Sequence, residues 1–337
     1  MTASALLAEV TRGVAVESRH YGALAVSDAS GRLLLALGDV ERPVFGRSAV
    51  KALQALPLVE SGAAERFGLS DRELALACAS HGGEPEHVET AAGALARIGL
   101  TAEALECGAH WPTNDAAARA LAASGAGPSA LHNNCSGKHA GFLCLACAME
   151  TDPAGYVGAE HPVQREVTAA LEGAFGLSLA DAAVGIDGCG IPTYAAPLAA
   201  IARAFARFGS GEGFAPERAR AARRLQQAGW SAPFEIAGTG RFDTEAMQVL
   251  NGRAFVKMGA EGVHAGALPE LGLGVAIKID DGATRGAEAA MAAVLARFLR
   301  PEGDAATWLA SRVRRSLRNW AGAEVGEVRA AGELAGG

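Results

Sequence analysis

The chain has 337 residues, 30 Lys+Arg against 37 Asp+Glu, and a formal net charge of −7. With 50% hydrophobic and 20% charged residues it is neither disordered nor fibrous, and its length suits one large domain or two closely packed ones. The acidic balance argues against nucleic acid as a partner, no uncharged apolar run reaches the roughly 18 residues needed to cross a membrane, and the opening segment lacks the basic and apolar regions of a signal peptide. A cytoplasmic enzyme is the expectation.

In chain order, residues 22–27 and 32–38, joined by Asp28-Ala-Ser-Gly31, predict a β-hairpin, with a further strand over 12–19. From Ser48 the apolar pattern becomes helical, with Pro57 placed to kink or end the helix. Helical segments follow at 71–79, 85–98, 115–123, 136–149, 161–175, 193–208, 215–228 and 243–250, separated by glycine-rich turns. Strands return at 253–258, 261–266 and 272–280, then helices at 286–299 and 304–317 and a last strand at 324–330. Strands at both ends and helices between them predict an α/β (α+β) fold: a mostly antiparallel sheet closed from both termini, flanked by helices and carrying a helical insertion. The expected organisation is one two-lobed catalytic domain over 1–337, with a sheet lobe from 1–60 and 251–337, a helical lobe from 61–250, and a cleft between them.

Only four lysines occur, Lys51, Lys138, Lys257 and Lys278, against 26 arginines. Arginine serves any solvated position, but only lysine can lose its proton when buried, so the surviving lysines are functional candidates. Six cysteines are scattered without an export signal, which argues against disulfides. Cys144 and Cys147 form a C-x-x-C pattern inside an apolar helical run and read as packing residues. Gly272-Leu-Gly274 lacks the third glycine of a dinucleotide loop, and neither a Walker motif nor a G-x-S-x-G elbow is present.

Ser48-Ala-Val-Lys51 opens the first helix. Side chains at i and i+3 lie on one face roughly 5–6 Å apart, so Lys51 can reach the Ser48 hydroxyl and act as the base of a Ser-Lys nucleophile, and the helix N-terminus favours developing negative charge. Ser80, in the turn Cys78-Ala-Ser-His-Gly-Gly83, and Lys257, ending a strand before Gly259, extend the order of groups found in Ser-x-x-Lys acyltransferases. The N–H groups of Ser48 and of the Gly259–Ala260 turn are candidate oxyanion donors. A second cluster pairs Cys135, in Asn133-Asn-Cys-Ser-Gly-Lys-His139, with Cys189, in Asp187-Gly-Cys-Gly190. These cysteines can line a pocket as free thiols or share a metal, with His139, His132 or Asp187 as further ligands on ordinary zinc preferences.

The segments Gly46–Lys51, Ala79–Gly83, Asn133–His139, Asp187–Gly190 and Lys257–Gly262 together resemble the zinc-containing asparaginase II family, the rhizobial-type L-asparaginases. The resemblance runs from about residue 10 to 300. It implies a fold like serine β-lactamases, penicillin-binding proteins and glutaminases, hydrolysis of L-asparagine to L-aspartate and ammonia, and a homodimer. It implies Ser48 as nucleophile with Lys51 as its base, Ser80 and Lys257 as a second Ser-Lys pair, and Zn2+ held by Cys135, Lys138 and Cys189 with a water. Lysine is an unexpected ligand, since it must bind as the neutral amine. For a zwitterionic substrate, charge type assigns Arg47 to the carboxylate, Asp187 to the ammonium group and His139 to the amide. Lys278 and the segment after about 300 carry no assigned role. The alternatives are a glutaminase or another Ser-Lys amidohydrolase or acylase, a non-hydrolytic cysteine-zinc or redox-sensing protein, and a hydrolase in which zinc-bound water attacks directly.

Overall fold

Strands β1 (Ala5–Arg12) and β2 (Ala15–Asp28) form a long hairpin, and β2 turns into β3 (Leu33–Leu37). The second turn uses the chemistry its sequence offers: Asp28 Oδ1 accepts the N–H groups of Ser30 (3.0 Å) and Arg32 (3.1 Å). The strand expected over 12–19 is the first half of β2, continuous with the strand expected over 22–27, and β1 was not expected. Besides β2, β1 pairs with the other end of the chain, with Ala8 opposite Ala330. This computed structural model describes residues 4–336. Residues 1–3 and 337, included in the two-lobe division, lie outside the described residues.

After β4 (Pro43–Phe45) comes a single 3-10 turn, Arg47–Val50, and then α1 (Lys51–Gln54), α2 (Leu56–Glu60) and α3 (Ala63–Arg66). The continuous helix expected from Ser48 is therefore divided. Pro57 sits in the first turn of α2, where a missing N–H is tolerated, and the run restarts there. Helices α4 (Asp71–Ala77), α5 (Pro85–Ala96), α6 (Asp115–Ala123), α7 (Ser136–Ala148) and α8 (Pro162–Phe175) follow close to their expected bounds. Ser70 and Glu73 open α4 with a reciprocal capping box. Helix α7 is buried on every side from Ser136 to Ala146 and packs on α4 and α5, so it is the axis of the helical region.

Strands β5 (Val184–Ile186) and β6 (Pro192–Pro197) join β4 in a three-stranded sheet of order β4-β6-β5. A helix was expected from 193. Pro197 instead ends β6, and α9 (Leu198–Ser210) starts behind it. Next come α10 (Pro216–Ser231), α11 (Pro233–Ala237), α12 (Phe242–Leu250), β7 (Phe255–Met258), β8 (Val263–Leu268), β9 (Leu273–Ile279), α13 (Thr284–Leu299), α14 (Gly303–Val313), β10 (Arg314–Arg318) and β11 (Glu324–Ala330). The helix expected over 304–317 stops at Val313, because Arg314–Arg318 pairs antiparallel with β11 and takes up strand alternation.

The main sheet has eight strands, ordered β10-β11-β1-β2-β9-β8-β7 with β3 also on β2, and every pairing is antiparallel. Both ends of the chain thus build one sheet, and the helices between them form the insertion, which is the α+β class expected from the pattern. Helix α9 packs on β2, β8 and β9, and α13 on β1, β8, β9 and β11. Every residue of β8 is buried, so both faces are covered there. No helix among the described residues is long and apolar enough to cross a membrane.

Candidate active site

Ser48 lies half-buried in the 3-10 turn, one residue after Arg47, whose φ of 49° is left-handed. A non-glycine residue there stores about 1–3 kcal/mol of strain, a common feature beside reacting groups. Arg47 is held by its side chain, with Nε donating to Asp187 Oδ1 at 2.7 Å. The turn is four residues long and α1 another four, so the dipole contribution expected at Ser48 is small. What the local fold supplies instead is eclipsing, since a 3-10 turn stacks i over i+3. Lys51 is fully buried, and its Nζ donates to Ala79 O at 2.6 Å and to Asn134 O at 3.4 Å. No hydrogen bond joins it to Ser48 Oγ among the described residues. The amine is oriented by two loop carbonyls, one beside Ser80 and the other beside Cys135.

Ser80 is half-buried, and its N–H donates to Ile236 O at 2.9 Å, which ties the loop after α4 to α11. Lys257 is fully buried on β7, with Nζ donating to Met258 O at 2.7 Å and lying 3.8 Å from Asp243 Oδ2. Burial pulls this amine down to about 7; Asp243 opposes the fall, while the nearby Lys51 charge adds to it. An ordinary lysine is neutral in about one molecule in a thousand near pH 7.5, whereas an amine at 7 is mostly neutral there. Gly259 brings the end of β7 onto the Ser48 turn: a Cβ at that position would stand 3.0 Å from Ala49 N and from Gly46 O. Its own N–H donates to Val263 O at 2.8 Å to close the β7–β8 hairpin, so it is not an oxyanion donor. The N–H groups of Ser48 and Ala260 have no acceptor among the described residues and keep that candidacy.

Cys135 precedes α7 and Cys189 sits in the turn after β5, both buried. Lys138, one turn into α7 and 2% exposed, donates from Nζ to Cys189 Sγ at 3.1 Å. A hydrogen bond from Cys189 holds the Cys135 thiol well below its ordinary range against burial, aided by Lys51 and Lys138, while Cys189 is pushed up. Burial alone would lower Lys138, but the sulfurs of Cys135 and Cys189 outweigh it and hold the amine above its usual value. His132, a ligand candidate, is spent on a local cap, with Nδ1 accepting the Ser129 N–H at 3.0 Å.

Asp187 stands between the two clusters. Besides Arg47 it lies 3.9 Å from Cys189 Sγ, and although burial raises its carboxyl, Lys138 and Arg47 hold it low. His139 is fully buried, Nδ1 sharing a hydrogen bond with Tyr156 Oη at 2.7 Å and Nε2 without a partner among the described residues. Contacts run from Arg47 through Asp187 and Cys189 to Lys138, and Lys51 joins the loops that carry Ser80 and Cys135, while His132 stays outside this group. Lys278 is half-buried on β9, its Nζ donating to Ile279 O at 2.8 Å and to Glu261 O, and it lines a cavity together with Arg47 and Glu261. Asp243 and His264 were missed. Asp243 is one of two acidic residues in the first turn of a helix and His264 a single polar residue in an apolar strand, and their contact exists only where α12 meets the β7–β8 hairpin.

The search of curated proteins found no match. Among solved structures, the chain is similar at 15% identity to "Mglu in its tris and glutamate form" (TM-score 0.47, 84% of this chain and 60% of that one). It is also similar at 12% identity to a beta-lactamase from Mycobacterium bovis (TM-score 0.40, 82% and 94%). A third is simvastatin synthase from Aspergillus terreus, at 14% identity (TM-score 0.38, 77% and 86%). The chain spans about three fifths of the length of the Mglu chain just named. The family model for L-asparaginase II matches residues 8–330, nearly the whole chain and every segment of the site, and the protein therefore belongs to the L-asparaginase II family.

Proposed function

We propose that the protein is an L-asparaginase that hydrolyses L-asparagine to L-aspartate and ammonia through an acyl-enzyme on Ser48. The observation that carries this reading, within an amidohydrolase family, is the pair of fully buried amines, Lys51 and Lys257, converging behind the Ser48 turn. A neutral amine has two N–H donors and one lone pair. Ala79 O and Asn134 O engage two donors of Lys51, which in its neutral form leaves the lone pair for the Ser48 proton.

Ser48 Oγ attacks the side-chain amide carbon as Lys51 takes its proton, and the oxyanion is met by the N–H groups of Ser48 and Ala260. The C–N bond breaks, and the proton taken up by Lys51 passes through Ser80 and the neutral Lys257 to the leaving ammonia. Water then gives a proton to the neutral Lys257, its oxygen attacks the ester carbonyl, the acyl–Oγ bond breaks, and that proton returns to Ser48 Oγ. Arg47 and Asp187, paired with each other when the site is empty of substrate, separate to receive its carboxylate and ammonium groups.

Zn2+ belongs to the proposal. Cys135, Cys189 and Lys138 lie in one buried cluster; the two sulfurs are donors zinc prefers, and the Lys138 ammonium would give up its proton to serve as the third. Without the amine the set falls short: no group of three or more His, Cys, Asp or Glu able to hold a metal exists among the described residues. Bound there, zinc would supply a fixed positive charge that organises the pocket beside Asp187. The homodimer and the cytoplasmic location are part of the same proposal.

The test is ammonia release from L-asparagine and L-glutamine by the purified protein, with Ser48→Ala alongside. The expected result is asparagine turnover that is lost in the variant. The two amides differ by one methylene, about 1–3 kcal/mol in a pocket, so glutamine turnover should be measurably weaker. No release from either amide by folded, zinc-supplied protein would overturn the reading.

A further inference from the structure

Asp243, in the first turn of α12, is 1% exposed, yet its carboxylate is fully engaged. Oδ1 pairs with His264 Nε2 at 2.9 Å; Oδ2 accepts the Met258 N–H at 2.7 Å and lies 3.8 Å from Lys257 Nζ. A carboxylate this deep is tolerated only when it is paired and hydrogen-bonded. All three partners belong to the β7–β8 hairpin, where Met258 and His264 stand directly opposite each other. The residue after Met258 is Gly259, the point at which that hairpin presses on the turn carrying Ser48. One side chain therefore holds both a buried amine and the backbone leading to the Ala260 N–H.

We propose that Asp243 is the positioning residue of the site: it fixes the Lys257 amine and the Met258–Ala260 backbone against the Ser48 turn, with His264 as its own anchor. The inference rests on the Ser-Lys reading above. His264 is suited to anchoring, since its Nδ1 has no partner among the described residues and Asp243 is its one hydrogen-bonded tie. The other charged or titratable groups facing Lys257 are Arg241 ahead of α12, Lys51 on α1, Cys135 before α7 and Cys78 after α4, while Glu288 on α13 faces His264 and Asp243 from behind. Asp243 is the carboxylate in that set nearest the amine, so removing it disfavours the ammonium form of Lys257.

The experiment compares wild type, Asp243→Asn, His264→Leu and His264→Gln as full-length proteins. Asparagine turnover, thermal melting and the NMR of [13Cε]lysine, which reads four lysines in all, are measured on each. Asp243→Asn and His264→Leu are expected to lose about tenfold to a hundredfold in kcat, as small misplacements of catalytic groups do, with KM within about threefold. His264→Gln, which keeps a donor toward Oδ1, recovers most of the loss. The Lys257 resonance of Asp243→Asn titrates at lower pH than in wild type. A folded Asp243→Asn with kcat within about twofold of wild type and an unmoved Lys257 resonance overturns the inference. If Asp243→Asn does not fold, equal kcat in His264→Leu and His264→Gln overturns it instead. Silence of wild type toward both amides sinks the asparaginase reading, and the Lys257 resonance then still decides whether Asp243 controls that amine.

Discussion

Lys257 and Lys138 are both buried in the same site, yet they are driven in opposite directions. Lys257 has one carboxylate at 3.8 Å and a second amine close by, and burial prevails, bringing it down to about 7. Lys138 has the sulfur of Cys189 at 3.1 Å and Cys135 beyond it, and their negative charge overcomes the same burial. Burial alone therefore does not make a base of a lysine; the balance between burial and all the neighbouring charges decides. Two sulfurs outweigh burial at Lys138, and one carboxylate, offset by the Lys51 amine, fails to do so at Lys257. In the proposed reading, the difference divides the site into a half that moves protons, around Ser48, and a half that would hold the zinc, around Cys189.

The largest effect expected from this division is at the nucleophile. Ser48→Ala should lower asparagine turnover by about 10⁴-fold or more with an unchanged melting temperature, and retention of more than about a hundredth of the rate would move the chemistry to the other half. Next come the two lysines themselves. Lys257→Met should cost about 10²–10³-fold in kcat, the scale of a lost proton-transfer group, and leave zinc content intact. Lys138→Met should do the reverse, with zinc lost in elemental analysis, as in Cys189→Ser, and a smaller loss of kcat. Equal losses of rate and metal in both variants would erase the distinction.

The pH profile sharpens the same comparison. Lys257 must shed its proton to accept one, and its ammonium form dominates below about 7, so kcat/KM should rise with pH through that region. A profile falling with pH over the same range would require the charged amine instead. The smallest effect is expected at the fourth lysine: Lys278→Arg, which keeps a charged donor for the Glu261 and Ile279 carbonyls, should keep activity within about twofold and stability within about 0.5 kcal/mol.

Much of this site was legible in the sequence because its signals are local. Ser48 and Lys51 sit three residues apart, Cys135 and Cys189 occupy polar turns rather than an apolar helix, and a chain poor in lysine keeps three of its four here, all at 2% exposure or less. The strand–helix–strand outline was legible for the same reason, from apolar spacing and turn residues. What escaped depends on distant partners. Strand β1 is defined by β11, β10 by the same strand, and β6 by β4. The helix read at Ser48 opens instead as a 3-10 turn behind a left-handed Arg47, whose side chain is tied to Asp187, 140 residues away. Gly259 lost its expected role to Val263 across a hairpin. Asp243 gave no signal at all, since an acidic residue in the first turn of an amphipathic helix is ordinary until β7 packs behind it.

The most direct test of the central claim is to quench the wild-type enzyme in acid during turnover of L-asparagine and map the modified peptide by mass spectrometry. The account predicts an adduct of aspartate less water on Ser48, absent from Ser48→Ala. Full turnover with no adduct on any residue, and turnover persisting in Ser48→Ala, would contradict it and place the attacking oxygen on water.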